Sequence, residues 1–120
     1  PELTRRFTRE RRVLAALEHP NIARILEERT TSDGSPALVM EWVDGPWLTN
    51  YVRTRHLALR ERLRLFLQIC AGVHHAHLKG VAHRDLKPSN VLVAEEAGAP
   101  VAKLIDFGLA LPLRDGEGTR

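Results

Sequence analysis

HRDLKPSN at residues 83–90 and DFG at residues 106–108 are the two stretches that decide the fold of this chain. The first stretch places a carboxylate, an amine and an amide on one short loop, and the second adds another carboxylate after an apolar strand. Phosphoryl transfer needs such a set, because charge spreads over the oxygens of the transferring phosphate and catalysis depends on positioning and charge neutralisation. The side chains concerned are Asp85, Lys87, Asn90 and Asp106.

The spacing of these residues resembles the protein kinase family, in which this loop and the Asp-Phe-Gly triplet are signatures. The resemblance implies that Asp85 is the catalytic base for the substrate hydroxyl and that Lys87 binds the transferring phosphate. It also implies that Asn90 and Asp106 hold Mg²⁺ through side-chain oxygens. Asp85, Lys87 and Asn90 are therefore the expected catalytic residues. A lysine at position 87 resembles the pattern of serine/threonine kinases rather than that of tyrosine kinases. The chain looks most like bacterial members of the family.

An ATP site between two lobes is implied by the same resemblance. Met40 would lie at the back of the nucleotide pocket, a hinge would offer backbone groups to adenine, and Leu92 would lie beneath the adenine. Glu10 matches the helix glutamate that pairs with a strand lysine, and a surface pair with Arg6 is the alternative. The residues expected to serve the nucleotide are Glu10, Met40, Glu41, Trp42, Val43, Lys87, Leu92 and Asp106.

Apolar periodicity along the rest of the chain predicts an α+β fold. Helices are predicted over residues 3–17 and over Leu59–Lys79, the second ending at Gly80. The predicted strands are Ile22–Thr30 and Ala37–Glu41, joined by a turn at residues 32–35, and Val91–Val93 and Val101–Ile105, joined by a turn at residues 95–100. The resemblance implies a partial bilobal kinase-like fold: a small sheet-plus-helix lobe (1–41), a hinge (42–45) and a mainly helical lobe (46–120).

Composition suits one soluble globular domain, with 120 residues of which 43% are hydrophobic and 28% charged. The formal charge of +3 comes with only 5% aromatic residues, so solvated helix faces are favoured over a nucleic-acid surface. No apolar run is long enough to cross a membrane, and no membrane contact by this segment is expected. The single cysteine, Cys70, excludes an internal disulfide and favours a cytoplasmic location. Cys70 is expected to pack in the core.

Three histidines on the second predicted helix, His74, His75 and His77, raise the alternative of a metal site. No carboxylate or cysteine completes a ligand set there, so packing is favoured for His77.

The function implied by the resemblance is transfer of the γ-phosphate of ATP to serine or threonine hydroxyls of a protein substrate. A glycine-rich phosphate loop, the strand lysine that would pair with Glu10 and an Ala-Pro-Glu triplet are absent from the 120 residues, so this piece alone is expected to be inactive. One alternative is a non-catalytic kinase-like interaction module, and a more distant one is a small-molecule phosphotransferase. The continuation from Lys87 to Asn90 speaks against the second of these.

Overall fold

The computed structural model describes residues 16–83, 85–105 and 111–112. Both helices and strands form in these residues, which confirms the predicted α+β class. The predicted helix over residues 3–17 falls almost wholly outside the described residues. The described elements, in chain order, are β1 (Ile25–Thr30), β2 (Pro36–Met40), α1 (Leu48–Arg55), α2 (Leu59–Leu78), β3 (Val81–Ala82), a 3-10 helix (Pro88–Asn90), β4 (Val91–Glu96), β5 (Ala99–Leu104) and β6 (Leu111–Pro112).

The first predicted hairpin is confirmed, since β1 and β2 pair antiparallel from Ile25 opposite Met40 to Thr30 opposite Pro36. The connecting turn is held by Asp33, whose carboxylate accepts hydrogen bonds from the Thr31 hydroxyl and from the Ser35 N–H. These hydrogen bonds lower the pKa of Asp33 to about 2, and the bond from Thr31 makes the largest contribution. A short polar segment therefore closes the hairpin through local hydrogen bonds.

The predicted start of the first strand at Ile22 is wrong. Residues 21–23 run parallel to β5 instead, because the Ala23 N–H donates to Leu104 O at 2.8 Å and the Leu104 N–H donates to Asn21 O at 2.8 Å. Asn21, Ile22 and Ala23 are all buried. The segment thus acts as a third, parallel neighbour of the β4–β5 hairpin rather than as an extension of β1.

The β4–β5 hairpin separates two apolar clusters. Its turn is Ala97–Gly98, both at positive φ, so the strands are longer and the turn shorter than predicted. Alternate residues point to opposite faces of a strand. One face contributes Val91, Val93, Ala102 and Leu104 to the main core, and the other contributes Leu92 and Ala94, with Ile105, to a cluster with Ala23 and Val43.

The long predicted helix is confirmed as α2, which ends before Gly80 at a φ of +82°. Its core side is marked by Leu65, Gly72 and Ala76. A Cβ on Gly72 would lie 3.0 Å from Leu104 Cδ1, so the helix packs closely on β5. Within the described residues, neither helix is long and apolar enough to span a membrane.

Two packing predictions on α2 are wrong, because Cys70 and His77 are exposed. At 100° per residue both positions lie on the side of the helix away from Leu65, Gly72 and Ala76. Apolar residues on both sides of α2 concealed which side faces the core.

Helix α1 has no counterpart among the predicted elements. Only Tyr51 in it is buried, and its mixed polar sequence carries little helical periodicity.

Candidate active site

His83 organises the start of the loop that carries the predicted catalytic residues. Its ring is buried, and its Nε2 donates to Ile105 O at 2.8 Å. Its Nδ1 accepts the Asp85 N–H at 3.2 Å. This pair of bonds requires a neutral imidazole with its proton on Nε2, since a carbonyl can only accept. The ring therefore ties the backbone of Asp85 to the residue that directly precedes Asp106.

Asn90 closes the same loop from its other end. The buried side chain donates from Nδ2 to Asp85 O at 2.6 Å. The backbone N–H of Asn90 donates to Lys87 O at 2.9 Å, and its carbonyl accepts the Ile105 N–H at 2.9 Å. The backbone of Ile105 is thus bonded at both ends of the loop, to His83 and to Asn90. The loop and the residue that follows β5 form one hydrogen-bonded unit.

The functional groups of Asp85 and Lys87 extend from this braced loop toward solvent. Lys87 Nζ lies 3.4 Å from Asp85 Oδ2, and the two side chains are 52% and 45% exposed, respectively. The structure thereby brings together Asp85, Lys87 and Asn90, as the sequence spacing predicts. A carboxylate and an ammonium group side by side can accept a proton and neutralise a phosphate, respectively.

Two residues predicted separately for the nucleotide, Val43 and Leu92, lie in one apolar cluster. Val43 is buried with Ala23 and Ala94, and Leu92 and Ile105 pack against them. Ile105 therefore belongs both to this cluster and to the hydrogen-bonded loop. Ile105 thus supports both the apolar surface next to the predicted hinge and the loop that carries the predicted catalytic residues.

The remaining predicted hinge residues are more open. Met40 ends β2 and is exposed, and Trp42 is 88% exposed. Glu41 is half-buried, and its carboxylate accepts the Arg24 N–H at 2.9 Å. The side chain of Trp42 points to solvent, so the predicted adenine contact of this residue would fall to its backbone.

The last residue of the predicted hinge, Gly45, packs tightly against β4. A Cβ on Gly45 would lie only 1.9 Å from Val93 O, so no larger residue fits without a backbone shift. The next residue, Pro46, accepts the Val93 N–H at 2.9 Å. In the sequence Asp44-Gly45-Pro46 is visible only as a turn, and the tight contact with β4 has no local signal.

Glu10 and Asp106 lie outside the described residues, so their roles stay predictions. For the cation, Asn90 can be tested directly. Its Nδ2 is used by Asp85 O, which leaves the amide oxygen Oδ1 for a ligand. Mg²⁺ prefers such oxygen ligands, so the donor chemistry of Asn90 fits the metal that the resemblance implies.

Comparison with known proteins gives one consistent family. Residues 1–119 match the family model described as protein kinase domain. The chain is 39% identical over 108 residues to serine/threonine-protein kinase pkn2 of Myxococcus xanthus, covering 90% of this chain and 13% of that protein. It is 40% identical over 111 residues to Pkn1 of the same organism, covering 92% of this chain and 16% of Pkn1. PkaA of Streptomyces coelicolor is 41% identical over 110 residues, which are 91% of this chain and 20% of PkaA.

A solved structure agrees with the sequence relatives. The crystal structure of the Mycobacterium tuberculosis PknI kinase domain superposes with a TM-score of 0.73 at 33% identity. The match covers 90% of this chain and 44% of that domain. The predicted partial kinase-like fold is confirmed, and the chain spans less than half of the related domain.

Proposed function

The chain belongs to the protein kinase family, and from that premise we propose that it is part of a serine/threonine protein kinase, which transfers the γ-phosphate of ATP to protein hydroxyls. The observation that carries the proposal is the braced loop, in which Asp85 and Lys87 extend from a backbone held by His83 and Asn90. The names of the bacterial relatives, all serine/threonine kinases at 39–41% identity, support the same acceptor class.

The proposed role of Asp85 is that of general base. Its half-exposed carboxylate accepts the proton of a serine or threonine hydroxyl while the hydroxyl oxygen bonds to the γ-phosphorus and the bond to the β,γ-bridging oxygen breaks. The backbone bonds at both its N–H and its carbonyl hold this carboxylate in position. The Lys87 ammonium group, 3.4 Å away, offsets the negative charge of the transferring phosphate.

ATP binding is proposed next to the apolar cluster. Val43 and Leu92 would contact the adenine, with Met40 behind it and the backbone of Glu41 and Trp42 beside it. Asn90 and Asp106 would hold Mg²⁺, which when bound neutralises the phosphate oxygens. Glu10 is proposed to pair with a lysine that binds the phosphates.

The proposed partners are ATP and a protein substrate, with no role in binding nucleic acid. We also propose a cytoplasmic location, a reducing compartment in which the single exposed thiol of Cys70 stays reduced.

The test is a transfer assay with the complete catalytic domain, meaning this chain with the flanking sequence of its reading frame. Labelled ATP, Mg²⁺ and peptide mixtures that differ only in serine, threonine or tyrosine are supplied. We expect label on serine and threonine, none on tyrosine, and none with Asp85→Asn. Nucleotide binding without transfer to any protein hydroxyl would refute the proposed activity and favour a non-catalytic module. Label on small molecules alone would refute the proposed acceptor.

A further inference from the structure

Lys103 is a buried lysine that the predicted site does not use. It lies on β5 with its side chain only 10% exposed, and its Nζ is 3.6 Å from Glu41 Oε1 and 3.6 Å from Glu96 Oε1. Lysine is rarely buried unless its charge is paired. Removal of a charge from water is costly, so the two carboxylates account for the lysine at this position.

One of these partners, Glu41, directly follows β2 at the edge of the predicted hinge. Its Oε1 atom contacts Lys103 and also accepts the Arg24 N–H at 2.9 Å. The backbone N–H of Glu41 donates to Arg24 O at 2.8 Å. A single carboxylate therefore joins β5, the chain at Arg24 and the start of the hinge. The Arg24 guanidinium is paired with Glu18 instead, so it does not replace Lys103.

The position of Lys103 on the hairpin places its charge beside the proposed nucleotide site. Lys103 stands directly opposite Leu92 in the antiparallel register of β4 and β5. Directly opposed residues project on the same face of such a pair. That face carries Leu92 and Ala94 to the cluster that includes Val43. Lys103 is therefore on the side of the hairpin that faces the predicted hinge.

We propose that Lys103 is a positioning residue for the nucleotide site: its ammonium group holds the Glu41 carboxylate and so sets the course of the hinge backbone. This inference rests on the proposed kinase function. In this proposal Lys103 does not touch the nucleotide. The backbone that follows Glu41 makes the contact with the nucleotide. Glu96 balances the same charge from the tip of the hairpin, where its side chain is 57% exposed. Glu96 has no part in the hinge link.

The kinetic test compares Lys103→Met, Glu41→Gln, their double variant and Glu96→Gln in the complete catalytic domain. We expect Lys103→Met and Glu41→Gln each to raise KM for ATP about three- to tenfold, the size of effect that such networks transmit. The double variant is expected to be no worse than either single one, because both remove the same contact. The kcat and the KM for the protein substrate should stay within about twofold. Glu96→Gln is the matched control and should leave KM for ATP unchanged.

Amide hydrogen exchange tests the link without nucleotide. Exchange at Glu41 and at residues 42–44 should be faster in Lys103→Met and Glu41→Gln than in the wild type or Glu96→Gln. Lys103→Arg, which keeps the charge, should restore slow exchange and a low KM.

The outcomes separate the two proposals. Unchanged exchange in Glu41→Gln, a KM for ATP unaffected by the loss of either partner, or equal effects of Glu96→Gln and Lys103→Met would overturn the positioning role. Faster exchange in a protein whose wild type transfers no phosphate would refute the kinase proposal and support the link between Lys103 and the hinge. If Lys103→Met fails to fold, the Glu41→Gln variant, altered at a half-exposed side chain, decides.

Discussion

Replacement of Asp85 by asparagine should separate chemistry from folding in the loop that carries the proposed catalytic residues. The loop is held by the main-chain groups of Asp85, whose N–H bonds to His83 and whose carbonyl bonds to Asn90. Among the described residues the carboxylate contacts Lys87 at 3.4 Å, and both side chains are about half exposed. Exposed pairs of this kind contribute about 0–1 kcal/mol. The variant is therefore expected to lose less than about 1 kcal/mol of unfolding free energy.

The expected effect of the same change on catalysis is far larger. An asparagine cannot accept the hydroxyl proton, and a positioned general base contributes about 10²- to 10⁴-fold to rate. We expect kcat to fall by at least about 100-fold while KM for ATP stays nearly constant, because the proposed partner of the Asp85 carboxylate is the acceptor hydroxyl and not ATP. The measurements are steady-state transfer with the complete domain, chemical denaturation, and ATP binding by titration.

Asp33→Asn is a suitable control, since Asp33 lies on the β1–β2 turn and its loss should leave kcat unchanged. If Asp85→Asn kept kcat within tenfold of the wild type, Asp85 would not be the base. If activity fell together with a stability loss above about 2 kcal/mol, the carboxylate would be holding the fold, and the reasoning from its exposure would be wrong.

Three further predictions concern the supports of the site. Asn90→Ala leaves a loop carbonyl without its donor and is expected to cost about 1–3 kcal/mol by chemical denaturation, whereas unchanged stability would contradict the bond. Gly45→Ala puts a Cβ 1.9 Å from Val93 O and should cost about 1–3 kcal/mol and weaken ATP binding, and a neutral thermal melt would refute the tight contact. Burial, followed by a neighbouring imidazole, lowers the pKa of His19 from its ordinary 6.5, so its neutral form stabilises the fold. That stability is present above about pH 6.5 and is lost as pH falls below it; His19→Gln should flatten the dependence, and an unchanged denaturation profile would exclude His19 as its source.

Local spacing in the sequence was sufficient to predict that Asp85, Lys87 and Asn90 lie on one loop, and to predict much of the secondary structure. Asp85, Lys87 and Asn90 lie within six residues, so a single short loop must bring them together. The β1–β2 hairpin and α2 were likewise predicted, because turn residues and helical periodicity act over a few neighbouring positions. The proposed roles of Asp85, Lys87 and Asn90 came from the family resemblance and not from spacing alone.

The tertiary structure decided the features whose partners are distant along the chain. Lys103 is an ordinary strand lysine in the sequence, and only the fold brings it to Glu41. Gly45 is an ordinary turn glycine until β4 lies against it. The core side of α2 was misjudged at Cys70 for the same reason. Periodicity in the sequence can show that a helix has apolar residues. The burial of each residue depends on which elements pack against that side of the helix. These contacts join residues that are distant along the chain, so the local sequence does not predict them.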